Sequence, residues 1–136
     1  MDQEKVMEYQ MIEKQIQQLS QTLQSIESNA EEINKIIKSL DDFKNLKKGD
    51  KILVPVANGI FAEATLENVD KLKVNVGNHI VVDKNVEGAK KIIEVQLKDL
   101  EQYKEETVQY YEQMYEKIQE LQHDLMKKEA GSKKEN

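Results

Sequence analysis

The chain has no cysteine, no tryptophan and no arginine, and only one proline, five glycines and two phenylalanines in 136 residues. Without cysteine there is no disulfide, no thiolate nucleophile and no thiolate metal site, which suits a cytoplasmic protein. Without arginine, the residue best suited to bidentate contacts with phosphates and base edges is missing, so sequence-specific nucleic-acid recognition is not expected. All twenty basic residues are lysine, and the net charge is −6. Long apolar runs are missing too. The longest, Ile52 to Val56, falls far short of the ~20 residues a membrane-spanning helix needs, so no membrane partner is expected. The opening stretch MDQEKVMEYQ lacks the apolar run of a signal peptide.

Apolar residues are themselves scarce, at 38% against 34% charged, where an ordinary domain carries about 45–50% and about 25%. A large central core is therefore not expected. An elongated, mainly α protein with a high ratio of surface to core is.

What the chain does have is period. From 3 to 48, with no proline or glycine before Gly49, apolar residues fall at Ile12, Ile16, Leu19, Leu23, Ile26, Ala30, Ile33, Ile37 and Leu40. The steps alternate four and three, a heptad seam that predicts a left-handed supercoil against another helix. Lys47, Lys48 and Gly49 read as the helix end. A second heptad segment spans 86–128, through Val86, Ile93, Leu97, Leu100, Lys104, Thr107, Tyr111, Met114, Ile118, Leu121 and Leu125. Asn85 is its N-cap. Antiparallel pairing with Leu40 beside Ile93 places Lys104 near Ala30, where a small residue leaves room for the lysine stem. Residues 129–136 read as a short polar tail that frays.

Between the helices, over 51–83, the period changes to two. Leu72, Val74 and Val76 alternate with Lys71, Lys73 and Asn75, while Ile60, Ala62, Ala64 and Leu66 share one face. Asn58-Gly59 predicts a tight hairpin turn and Gly77-Asn78 a second one. The order is helix, two β-hairpins, helix, within a single domain over 1–136. Two isolated hairpins are marginal in water and leave open edges. The chain is therefore expected to be an obligate oligomer whose strands complete a shared sheet or barrel. The residues expected to carry that assembly are Ile52, Leu53, Val54, Val56, Ile60, Phe61, Leu66, Leu72, Val74, Val76, Ile80, Val81 and Val82.

These residues resemble those of a known family. Leu53-Val54-Pro55, Asn58-Gly59-Ile60-Phe61, Lys73-Val74-Asn75-Val76-Gly77, Val81-Val82 and then Ala89 are similar to the prefoldin α-type subunit, and the resemblance covers nearly the whole chain. Two hairpins favour the α type, since the β type has one. Val56 and Ala57 depart from the family's leucine followed by a small residue. The resemblance implies an ATP-independent holdase that needs no cofactor and hands unfolded proteins to a group II chaperonin. It also implies partners: β-type prefoldin subunits on a double β-barrel, from which coiled coils project.

Client contact is then expected at the free helix ends. Val6, Met7, Tyr9, Met11 and Ile12 come from the first helix, and Met114, Tyr115, Ile118, Leu121, Leu125 and Met126 from the second. Ile12, Ile118, Leu121 and Leu125 are also seam residues, so packing is their competing role. Methionine suits an adaptable surface for varied partners. The alternative function is a self-assembling structural coiled-coil module, a homo-oligomer or filament joined through its own hairpins.

Catalysis finds no footing. His79 and His123 have no nucleophile or carboxylate at motif spacing. The neighbours Glu31-Glu32, Asp41-Asp42 and Glu105-Glu106 point about 100° apart on a helix. No glycine-rich phosphate loop and no metal-ligand spacing occurs. No enzyme, metal or cofactor is expected.

Overall fold

The computed structural model describes residues 3–135, with side chains described through Lys127. Helix α1 spans Gln3–Phe43, strands β1 Lys51–Ala57, β2 Ile60–Thr65, β3 Leu72–Asn75 and β4 Val81–Lys84 follow, and helix α2 spans Val86–Glu135. The architecture is mainly α: two long helices packed as a coiled coil, with two β-hairpins between them in sequence. Two compact units divide the chain, Met1–Ala30 with Asp99–Asn136, and Glu31–Lys98.

In the first unit the heptad positions become the core. Ile12 and Ile26 are buried on α1, and Ile118 and Leu121 on α2. Ile12, Ile118 and Leu121 form one cluster, against which Tyr9, Ile16 and Met114 pack. Ile16, Leu19, Leu23, Leu100, Tyr111 and Leu125 are half-buried. Lys104 is exposed, as expected of a seam lysine with its ammonium in water. Thr107 is buried instead, its hydroxyl donating to the Tyr103 carbonyl at 2.8 Å. That i−4 bond satisfies the only polar side chain buried among the described residues.

The second unit holds the helix ends that flank the strands and both hairpins. Helix α1 stops at Phe43, five residues short of the end expected at Lys48. Its last turns tighten into i+3 bonds from the amides of Lys44, Asn45 and Leu46 to the carbonyls of Asp41, Asp42 and Phe43. The segment after it is drawn into the first hairpin. The amide of Gly49, at φ 95°, bonds the Leu66 carbonyl, and the Leu66 amide bonds the Asp50 carbonyl. The Asp50 carboxylate meanwhile accepts from the Lys47 amide at 2.8 Å. Gly49 thus turns the chain into β1 rather than capping α1.

Helix α2 begins as expected. Asn85 caps it, its side-chain oxygen accepting from the Gly88 amide at 2.7 Å. A Cβ on Gly88 would stand 3.0 Å from that oxygen, so glycine in the first turn makes room for the cap. At its other end α2 runs in its backbone through Glu135, beyond the expected end at Lys128. No proline interrupts 127–135, and Gly131 costs only ~1 kcal/mol. The side chains of the 129–136 tail, and Asn136 altogether, lie outside the described residues.

Candidate functional site

Hairpin β1–β2 is antiparallel, pairing Ile52 with Ala64, Leu53 with Glu63, Val54 with Ala62 and Pro55 with Phe61. Past Pro55 the register slips, so that Ala57 pairs with Ile60 and Val56 is the extra residue of a bulge. Proline has no amide to give the ladder, and a bulge is one of the few places a strand tolerates it. The departure from the family pattern noted at Val56 thus sits where pairing is already irregular. Asn58 and Gly59 turn the chain with φ of 40° and 81°, the positive pair of a type I′ turn.

One face of this hairpin carries Ile52, Val54, Ala62 and Ala64, all apolar; the other mixes Leu53, Pro55 and Phe61 with Lys51, Glu63 and Thr65. Both faces stand open. Leu53, Val54, Val56, Ile60 and Phe61 are 41–65% exposed, and only Ile52 and Ala64 in the ladder are half-buried.

Hairpin β3–β4 pairs Leu72 with Lys84, Lys73 with Asp83, Val74 with Val82 and Asn75 with Val81. Leu72, Val74 and Val82 share its better-covered face, half-buried together with Leu66. Lys73 bonds the Asp83 carboxylate directly across the strands, and that bond holds the Asp83 carboxyl below the usual carboxylate range. Val76, Ile80 and Val81 are 50–56% exposed around the turn. The turn itself differs from the expected Gly77-Asn78. The Ile80 amide bonds the Gly77 carbonyl, and the positive φ values fall on Asn78 (51°) and His79 (62°), with Gly77 preceding them at 114°. Asn75 sets this offset: its side-chain oxygen accepts from the Gly77 amide and moves the bend one residue on.

Eight large apolar side chains on the two hairpins are therefore exposed, more than the six hydrophobic residues buried in the described chain. Large apolar patches of this kind mark an association surface. All thirteen residues expected to carry assembly lie on or beside these strands.

An ionic clasp joins the helix ends flanking the strands. Lys44 pairs with Glu87 and, at 3.6 Å, with Asp41; Lys90 reaches Asp41 at 3.0 Å. The Lys90 hydrogen bond holds the Asp41 carboxyl below its usual range, and the Lys44 bond does the same for Glu87. Glu87 in turn raises the Lys44 ammonium. Sequence reasoning assigned none of these four charges a role, because the pairs that tie the clasp together, Lys44 with Glu87 and Lys90 with Asp41, join residues far apart in the chain. Beside the clasp, a hollow of about 310 Å³ is lined by Phe43, Leu46, Val69 and Val86 with Lys44, Asp70, Asn85 and Glu87. It brings together no nucleophile and base.

At the free helix ends of the first unit, Lys5 and Asp124 approach to 3.8 Å. Here the eleven expected client-contact residues sort by exposure. Ile12, Ile118 and Leu121 are buried in the seam; Val6, Tyr9, Met114 and Leu125 are half-buried. Met7, Met11 and Met126 are 63–65% exposed and Tyr115 is 49% exposed. Tyr115 lies parallel to Tyr111, centroids 6.3 Å apart, which braces an otherwise free ring. Both histidines are exposed. Among the described residues no group of three or more His, Cys, Asp or Glu is placed to hold a metal, and no helix is long and apolar enough to cross a membrane.

Comparison with known proteins agrees with this geometry. The family model described as Prefoldin, prefoldin subunit, matches residues 12–130. The chain is 24% identical over 90% of its length to prefoldin subunit alpha of Archaeoglobus fulgidus, covering 90% of that protein. To prefoldin subunit alpha 2 of Methanocaldococcus jannaschii it is 29% identical, over 79% of this chain and 73% of the relative. Among solved structures, it is similar to a chain in the cryo-EM structure of filamentous PFD from Methanocaldococcus jannaschii. There the TM-score is 0.76 at 27% identity, with 90% of this chain and 99% of that one covered.

Proposed function

The chain belongs to the prefoldin family, as an alpha-type subunit, and from that membership we propose that it holds unfolded proteins at its free helix ends. It does so without nucleotide, keeps them from aggregating and passes them to a group II chaperonin in the cytoplasm. The family is one of non-enzymatic chaperone subunits. The observation that carries the reading is the exposure of Met7, Met11, Tyr115 and Met126 off a seam that is already closed by Ile12, Ile118 and Leu121. Three flexible thioethers that the fold itself does not use, with one ring braced by Tyr111, supply adaptable apolar surface.

The test follows from that division. Replacing Met7, Met11, Tyr115 and Met126 together by serine leaves the buried cluster intact. The variant should need several-fold more protein to suppress aggregation of a denatured client, with unchanged assembly by light scattering. Full suppression by the quadruple variant would overturn contact at the helix ends.

The hairpins supply the assembly. Their exposed apolar residues and unpaired strand edges suit β-type prefoldin subunits, completing a shared β-barrel, or copies of this chain. The second reading, a homopolymer, is favoured by the similarity to a chain of a filamentous assembly. Electron microscopy of the purified single chain separates the two. Long polymers support self-assembly, whereas a discrete particle that forms only with a β-type partner supports the mixed oligomer. Either form can hold clients.

A further inference from the structure

We propose that the flank of α2 formed by Asp99, Tyr103, Glu106 and Tyr110 is a docking strip for extended segments of unfolded polypeptide that carry lysine or arginine. The strip rests on the holdase reading and deepens it by naming a class of client segment.

Four of the chain's five tyrosines fall between 103 and 115. Tyr111 takes a seam position and is half-buried. Tyr103 and Tyr110 stand beside the seam, 51% and 45% exposed. In the α2 heptad they occupy successive g positions, and Asp99 and Glu106 occupy successive c positions. Steps of four, three and four residues set acid, ring, acid and ring along one flank of the helix. All four side chains are exposed. Among the described residues neither carboxylate is in an ion pair. The structural contact made by Tyr103 uses its backbone carbonyl and leaves the ring free.

Charge selects the occupant. Residues 15–30 and 99–116 hold seven carboxylates and one lysine, a net −6 equal to that of the whole chain, so all other stretches together are neutral. Helix α1 has no lysine between Lys14 and Lys35, so over 15–34 it supplies no competing cation. A tyrosine face attracts a lysine or arginine head group, and the adjacent carboxylate adds direct attraction. A neutral segment gains only the ring, and an anionic one is repelled.

Spacing selects its form. Asp99 and Glu106 are seven residues apart on a helix, about 10.5 Å at ~1.5 Å per residue. An extended chain rising ~3.3 Å per residue covers that distance in about three residues. A cation at every third position would meet each acid in turn, with a ring between.

The experiment uses the full-length chain in its native assembly. The probe is a labelled twelve-residue peptide with arginine at every third position, its control the same peptide with glutamine in those places. Fluorescence anisotropy should show at least tenfold tighter binding of the arginine peptide. The pair Asp99→Asn with Glu106→Gln, and separately the pair Tyr103→Ser with Tyr110→Ser, should each remove most of that preference. Tyr103→Phe with Tyr110→Phe should keep it, because the ring faces remain. Equal binding of both peptides would overturn the strip. So would a preference untouched by the serine pair, since a diffuse negative field would then account for it. Aggregation suppression of a denatured client poor in lysine and arginine should persist in the variants. Its absence in the parent protein would count against the holdase reading instead.

Discussion

At the residue scale, His79 occupies a backbone position that a side chain disfavours. The second central residue of a type I′ turn is commonly glycine, as Gly59 is in the first hairpin, yet in the second it is a histidine at φ 62°. Left-handed backbone costs a residue with a Cβ roughly 1–2 kcal/mol. Glycine relieves that strain but loses roughly 0.5–1 kcal/mol through the freedom it adds to the unfolded chain. His79→Gly should therefore stabilise the assembled protein by about 0.5–1 kcal/mol, read from urea unfolding; a net loss would mean that the imidazole makes contacts in the assembly. The position was not legible in the sequence, where Gly77-Asn78 is the stronger turn pair. The Asn75 side chain decides the matter, and a sequence motif of two residues does not contain it.

At the element scale, the seam and the start of α2 were legible and the C-terminal ends of the two helices were not. Heptad positions depend only on which residues recur every three or four places, and those residues, the exposed Lys104 apart, are the ones the helices cover. The end of α1 depends instead on what competes for the backbone of 44–50, and the first hairpin wins it. The clasp of Asp41, Lys44, Glu87 and Lys90 belongs to this scale too, since it appears only once the helices pair in register. Its carboxylates have folded pKa values below their unfolded ones, so their contribution is present above the unfolded carboxylate range. It fades as pH falls through the folded values. Lys44, raised, contributes below the unfolded lysine range and loses that contribution as pH rises through its folded value. The clasp should hold from about pH 5 to about pH 10 and loosen in acid below about pH 4. These groups face solvent, so added salt should weaken it as well. Helicity followed against pH at low salt should show a steeper acid loss in the parent than in Asp41→Asn with Glu87→Gln. Identical curves would remove the clasp as a source of acid sensitivity.

For the whole molecule, the deciding quantity is how much apolar surface the chain leaves to others. Burying a valine, leucine, isoleucine or phenylalanine side chain stabilises by about 1.5–3 kcal/mol, and eight such residues stand open on the hairpins. Placing lysine at Leu53, Phe61 and Val81 sets charges on both hairpins while leaving the seam untouched. Sedimentation should then fall to the mass of a single chain, with far-UV helicity retained because the helical core lies elsewhere. An unchanged particle would mean that the hairpins are not the assembly surface. The same outlook explains a domain-length chain with so little apolar content. Its helices close their own narrow seam, and its strands leave their apolar side chains exposed.

Sequence alone determined the order of elements, the seam, the N-cap at Asn85, the Asn58-Gly59 turn and the exclusion of thiolate and arginine chemistry. Each is local: a period, a cap or a turn needs only residues within a few places of one another. Tertiary structure decided which apolar residues at the free ends are core and which are surface. Ile12 and Met11 are neighbours in the chain and equally apolar in a composition count, yet one is 4% exposed and the other 63%. That difference comes from the facing helix, whose Ile118 and Leu121 cover the first and leave the second to solvent. The ion pairs of Lys44 with Glu87 and of Lys90 with Asp41 arose in the same way, because short-range Coulomb attraction between distant residues exists only after the chain has folded back on itself.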